Sequence, residues 1–335
     1  MKPLFHPRLV NDVFGDPGVY VEFLFEKRAL LFDLGDLHRL PSRKILKITD
    51  VFVSHTHMDH FNGFDRLLRI CLGREKQLRL FGPPDFIDQV RHKLSAYTWN
   101  LVEHYTNDFT IEVTEVHPQS LRTVRFRCRE AFRLADDERR AHEDGVILDD
   151  ETFRIRAASL DHSIPCLAFT FEEKTHVNIM KNRLEALGLR VGAWLKELKT
   201  AVIRGEGDRT PIRVWWKEKG RLQERELPLD ELRSEILEIT PGQKISYAVD
   251  LVYHQENARK LVELARGADL LFIECCFLEK DAQQAAQKYH LTAHQAGLLA
   301  KAAGVKRVVP FHFSPRYEGQ EQLLILELQK ASGLK

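Results

Sequence analysis

An α/β fold of four layers, two sheets packed face to face with helices outside in αββα order, is predicted by three features of the sequence. Strand-like and helix-like patterns alternate over residues 19–94. Strands crowd together with little helix between them over residues 111–172, and a second alternation runs from residue 244 to residue 331. With 335 residues, 44% of them hydrophobic, the chain can bury most of its apolar surface in one large core. The expected organisation is a single domain, 1–335, with residues 173–243 inserted as a basic arm and connecting segment.

The elements follow in order. Residues 19–25 (VYVEFLF), 29–33 (ALLFD) and 48–54 (ITDVFVS) read as strands, each closing near a polar or glycine turn. Residues 64–72 (FDRLLRICL) have helical spacing, 78–81 form a short strand closed by Gly82-Pro83-Pro84, and 86–94 resume as helix. Strands are expected at 111–116, 123–128, 153–158 and 168–172, and their adjacency suggests antiparallel pairing. The last third reads strand 244–249, helix 257–265, strand 270–274, helix 293–303, strand 307–311 and helix 321–331. Polar, glycine-punctuated stretches at 206–209 and 217–224 are expected to be mobile turns.

Composition removes several function classes. Fifty Lys+Arg against 49 Asp+Glu exclude a strongly polyionic protein. No run of about 18 uncharged apolar residues is present, so no membrane partner is expected. Five cysteines, two of them adjacent, do not suggest a disulfide framework and fit buried thiols in the cytoplasm. The charge is uneven: residues 174–221 hold twelve Lys/Arg against five Asp/Glu. Such a surface is either a solvated face or a contact for a polyanion. Within it, Trp215-Trp216 is expected to pack the arm onto the core, with base stacking as the alternative.

The strongest chemical signal is Ser54-His55-Thr56-His57-Met58-Asp59-His60, directly after an apolar strand. Three imidazoles and a carboxylate in six residues pack poorly, because each needs a partner if buried. On a loop at a strand's end they suit a metal ion, and the i, i+2 spacing of His55 and His57 points both rings the same way from extended backbone.

This run resembles the signature of the metallo-β-lactamase superfamily, whose fold is the αββα sandwich. The resemblance implies two metal sites: His55, His57 and His162 at one, Asp59, His60 and His312 at the other, and Asp250 bridging them. Within the superfamily the sequence is most similar to ribonuclease Z, which trims the 3′ trailer from precursor tRNA. Three pieces carry this likeness: 290–296 (HLTAHQA), 311–317 (FHFSPRY) and Glu274 in 272–277 (FIECCF). Asp33 in 32–36 (FDLGD) matches a further family position behind the metals. The likeness covers about half the chain, in the stretches 17–66, 155–205 and 244–317.

The resemblance implies two Zn2+ ions, with Mn2+ or Fe2+ compatible with the same donors. It also implies a homodimer acting on RNA or another phosphodiester. Asp59 would orient the attacking water and take its proton, while His290, oriented by Glu274, would serve the leaving oxygen. Arg316, Ser314 and Thr292 are the expected substrate-binding residues, with Arg316 equally suited to support the site from beneath. The remaining histidines (6, 38, 92, 104, 117, 142, 176, 254 and 294) are read as surface residues.

The sequence also departs from the family. It lacks an opening L-G-T-G turn, has Val249-Asp250-Leu251 where the family has G-D-T, and keeps the glycines but not the prolines of the arm's G-x-P-G-P element in 187–199. Arg122, Arg125, Arg127 and Arg129, in an insertion at 119–150, alternate as on a half-exposed strand, or face RNA. Two other functions remain: a hydrolase of a small phosphodiester, cyclic nucleotide, ester or thioester, and a non-catalytic binding protein. The last predicts missing ligands, and none is missing.

Overall fold

The computed structural model describes residues 5–24, 26–218 (Glu218 by its backbone alone) and 221–334. Phe25 and Lys219, which belong to an expected strand and to the basic segment, lie outside the described residues. The chain divides into two compact units, one of residues 1–147, 155–171 and 244–335, the other of 148–154 and 172–243.

Eight strands form the first sheet in chain order: β1 (Phe5–Leu9), β2 (Val19–Phe23), β3 (Ala29–Phe32), β4 (Ile48–Phe52), β5 (Lys76–Gly82), β6 (Phe109–Val116), β7 (Ser120–Arg127) and β8 (Leu134–Ala141). Strands β3 to β6 run parallel, and the outer pairs on both sides run antiparallel. Parallel neighbours need crossovers. These carry α1 (Ser42–Ile45), α2 (Met58–Phe61), α3 (Phe64–Cys71) and α4 (Phe86–Ser95).

The second sheet has six strands in the order 308–311, 270–274, 244–248, 165–173, 153–161 and 146–149. The expected run of adjacent strands is therefore split. Residues 120–127 stay in the first sheet, paired antiparallel with β6, while 153–161 and 165–173 join the second.

Side-chain alternation explains the layering. Ala29 and Leu31 of β3 face one cluster with Val51, Leu67, Leu68, Phe86 and Val90, which seats α3 and α4 on the sheet. The opposite face carries aromatics that fill the space between the sheets: Phe32 lies 5.8 Å from Phe169 and 5.6 Å from Tyr247, and Phe52 lies 5.7 Å from Phe169. Behind the second sheet, helices 255–265, 293–303 and 321–332 pack through Leu261, Leu299, Leu324 and Leu328.

The arginines of β7 have carboxylate partners on the flanking strands. Arg122 donates to Asp137, Arg125 to Glu112 at 3.0 Å, and Arg127 to Asp136 at 2.8 Å. These pairs tie the three guanidinium groups to the sheet, while Arg129 lies beyond the strand in the turn Cys128–Glu130.

The second unit, taken by itself, has its own core. Strand 176–179 pairs antiparallel with 237–240, strands 211–218 and 221–228 form a hairpin, and helices 194–203 and 229–236 bury Trp194, Leu198, Leu232 and Ile236. Three expectations change here. Lys217 pairs with Leu222 across the hairpin, so most of 217–224 is strand rather than turn. Trp216 is buried in the unit's own core with Trp215 packed against it, which accounts for the tryptophan pair within the unit. His176, read as a surface residue, is buried, its ring bonded to Glu173 at 2.8 Å and Asn178 at 2.9 Å.

Candidate active site

The site residues sit where strands of the first unit run out. His55, His57, Asp59 and His60 follow β4 on a loop that passes into α2. That loop is held from the other side by the end of β3: Leu34 N donates to His60 O at 2.9 Å and Gly63 N to Leu34 O at 2.8 Å. The approach demands glycine, since a Cβ on Gly63 would lie 2.1 Å from the Gly35 carbonyl oxygen. Asp250 and His312 end strands of the second sheet, and both adopt left-handed backbone (φ 52° and 58°), as Asp33 does (φ 57°). Such conformations are costly for residues other than glycine and concentrate at functional sites.

One carboxylate organises the cluster. Asp250 Oδ2 lies 3.4 Å from His55 Nε2, 3.4 Å from His60 Nε2 and 3.3 Å from His162 Nε2. Its other oxygen is 3.1 Å from His312 Nδ1. Asp59 Oδ2 stands 3.3 Å from His312 Nε2 and 3.5 Å from His60 Nε2. Donor atoms of His55, His57, His162 and Asp250 lie within 4.8 Å of one another, and so do those of Asp59, His60 and His312.

The donors fit divalent cations. Two atoms each about 2.1 Å from a tetrahedral ion are about 3.4 Å apart, the spacing found around Asp250. His55 Nε2 and His60 Nε2 are buried and make no hydrogen bond, an expensive condition for a polar atom without another partner. Burial, joined by repulsion from the His60 ring, pulls the His55 imidazole down to about 2. His57 is likewise lowered, first by burial and then by His162. Both rings are thus neutral, with lone pairs to offer a metal.

Negative charge dominates the remainder. Burial opposes ionisation of Asp250, but the His312 and His60 rings outweigh it and hold the carboxyl well below its usual range. Asp59 behaves alike, brought down to about 2 against its own burial by His312 and His60. His60, although fully buried, is raised to about 10 by Asp250 and Asp33. A cation placed among these carboxylates would answer the charge that these rings otherwise answer with protons.

Behind the donors, Asp33 is fully buried. It accepts from Ser54 N at 2.6 Å, Ser54 Oγ at 2.8 Å and Tyr247 Oη at 2.6 Å, and it meets His60 Nδ1 at 2.9 Å. His162 Nδ1 is fixed by the Tyr289 carbonyl at 2.8 Å. Such outer contacts set ring orientation and tautomer.

Glu274 and His290 meet as well, with His290 Nδ1 2.8 Å from Glu274 Oε2. The second carboxylate oxygen accepts from Leu251 N at 2.8 Å and Leu291 N at 3.3 Å. Burial works against a charged His290, yet Glu274 lifts it to about 11.

The three expected substrate-binding residues differ in their surroundings. Thr292 is fully buried. Its hydroxyl accepts from Gln295 N as the cap of helix 293–303 and donates its proton to Glu279 Oε2 at 2.5 Å, and it is closed off from solvent. Arg316 bonds to Gln284 and lies over the Phe277 and Tyr317 rings, while Ser314 N donates to Cys276 O at 3.2 Å.

A model of the Beta-lactamase superfamily domain matches residues 223–313. A ribonuclease Z of Deinococcus radiodurans is 31% identical over 291 residues, 86% of this chain and 83% of that protein. The chain belongs to the ribonuclease Z family. It is a metal-dependent hydrolase with the metallo-β-lactamase fold. A ribonuclease Z of Methanothermobacter thermautotrophicus is 27% identical over 88% of this chain and 80% of its own. Among solved structures, the metallo-β-lactamase fold protein YhfI of Bacillus subtilis superposes with a TM-score of 0.58 at 15% identity, over 100% of this chain and 96% of its own. Human tRNase Z, short form, gives 0.52 at 19% identity, over 94% of this chain and 92% of its own. These two likenesses concern the fold.

For this ribonuclease Z relative, sequence reasoning missed Tyr247, Ser54 and Cys276. Tyr247 looks like one more apolar strand residue, and its hydroxyl meets Asp33 across the two sheets. Ser54 precedes the histidine run and carried a signal only by its position. Cys276, whose Sγ is 3.3 Å from His312 Nδ1, lies two residues after Glu274, just past the end of strand 270–274. No described helix is long and apolar enough to cross a membrane.

Proposed function

We propose that this chain is a dinuclear zinc endoribonuclease that removes the 3′ trailer from precursor tRNA. The observation that carries the reading is Asp250, whose one oxygen stands within 3.4 Å of three imidazole nitrogens drawn from both donor groups, a position suited to bridging two ions. The relatives named ribonuclease Z supply the substrate class. His55, His57 and His162 would hold one ion, and Asp59, His60 and His312 the other.

Zinc suits the neutral imidazole and carboxylate donors, and bound there it would supply a water acidified toward neutral pH and positive charge for the phosphate oxygens. Asp59, half-buried and at the edge of the cluster, would orient a water there and take up its proton. His290, held by Glu274 through Nδ1, presents its other nitrogen to the leaving oxygen as proton donor. The five free, buried thiols fit a cytoplasmic location. A homodimer completes the proposal.

A second reading, hydrolysis of a small phosphodiester, is favoured by one observation. In 187–199, where the family carries its tRNA-gripping element, Leu189, Trp194, Leu195 and Leu198 are buried in the second unit's own core. Side-by-side assays with a trailer-bearing precursor tRNA and bis(p-nitrophenyl) phosphate separate the two. Cleavage at the trailer junction supports the first, and hydrolysis of the small diester alone supports the second.

A further inference from the structure

We infer that Glu274, Cys276 and His290 form an additional cation site, selective for thiophilic divalent metals, whose occupation silences the enzyme. The inhibition, though not the binding, rests on the role given to His290 above. Ligand atoms of these three residues and of His312 all lie within 4.8 Å of one another.

The donor set differs in kind from the active centre. The seven expected ligands there offer only nitrogen and oxygen, which serve many divalent metals alike. A thiolate beside a carboxylate and an imidazole favours zinc and cadmium over magnesium or manganese. The donors are also available. Glu274 Oε1 is committed to two backbone amides, while Oε2 faces His290. Cys276 Sγ donates to the His312 carbonyl at 2.8 Å and His290 Nδ1 bonds to Glu274 Oε2, so coordination costs two hydrogen bonds and releases the thiol proton and the Nδ1 proton to solvent. The His290 side chain is 17% exposed and gives the site a route to solvent.

His312 turns Nε2 toward Asp59, and its Nδ1 lies 3.1 Å from Asp250 Oδ1 as well as 3.3 Å from Cys276 Sγ. It is therefore pledged to the active centre, and water fills the fourth position of the added ion. A cation at His290 Nδ1 takes the place of the Glu274 hydrogen bond. The ring then serves as a ligand and no longer delivers a proton.

The test is a cadmium titration of the zinc-loaded full chain, with zinc content followed by elemental analysis. The expected result is one bound cadmium beyond the retained zinc, an ultraviolet thiolate-to-cadmium charge-transfer band, and parallel loss of bis(p-nitrophenyl) phosphate hydrolysis. Cys276→Ala loses the band and the added equivalent, while Cys166→Ala, which removes the other thiol near the cluster, keeps both. In the wild-type chain cadmium also shields Cys276 from alkylation, a readout that needs no variant. No band in the wild type, a band that survives Cys276→Ala, or a band formed without loss of hydrolysis overturns the inference. Absence of hydrolysis before any cadmium is added sinks the proposed function alone, and the band still decides the site.

Discussion

The hydroxyl of Tyr247 lies 2.6 Å from Asp33 Oδ2, and the same oxygen meets His60 Nδ1 at 2.9 Å. A residue of the second sheet thus fixes, through a buried carboxylate of the first, the ring that stands between the two donor groups. Tyr247→Phe removes one hydroxyl from a packed aromatic position. Metal affinity is expected to fall about 10-fold, within the range typical of outer contacts to ligands, with little change in far-ultraviolet dichroism. Competition with a calibrated chelator measures it, and unchanged affinity would remove Tyr247 from the orienting chain.

Asp250 and His57 test the cluster itself. Asp250→Ala leaves four imidazoles without their shared carboxylate, and His57→Ala removes an exposed donor that touches little else. Both are expected to lower kcat by more than about 100-fold, beyond what outer contacts produce, while the fold persists. Retained turnover in a His57 variant shown to carry its full metal content would count heavily against this site.

The Glu274–His290 pair should separate from metal binding. His290→Ala is expected to cost about 10²–10⁴-fold in kcat, with metal content retained and KM nearly unchanged. Glu274→Gln should reproduce part of that loss and shift the pH dependence of kcat. A metal-depleted His290 variant would instead assign the ring to the ligands.

Glu22 gives a pH test far from the site. The Lys44 ammonium holds its carboxyl below the usual value, burial opposes this, and Lys47 at 2.9 Å assists. Because the folded value is lowered, the stabilisation is fully present above the unfolded carboxylate range near 4.5 and is lost as pH falls through the folded value. Glu22→Gln should cost less than about 1 kcal/mol at pH 7. The difference from wild type should vanish in acid, and urea unfolding at pH 7 and pH 3 checks it.

Where the sequence was legible, a strong local pattern and a long-range requirement agreed. Val51 to His60 combines an apolar strand with a ligand run, and Leu270–Glu274 and Val308–Phe311 are apolar strands whose ends carry chemistry. Strands β8 and 221–228 were invisible because their burial patterns are almost wholly exposed, so no alternation marks them. The second unit was legible as a charged segment but not as a folded body, since Trp194, Leu198 and Leu232 are too scattered to announce a shared core. Thr292 misled because a helix cap and a substrate contact call for the same hydroxyl.

The two halves of the cluster are far apart in the chain. His55, His57, Asp59 and His60 are made early, whereas Asp250 and His312 come only with the last strands of the second sheet. A ribosome-borne fragment ending before those strands has five of the seven expected donors, His162 included, and no bridge between them. Under the proposed ligand assignment, the full donor set exists only once the second sheet is complete.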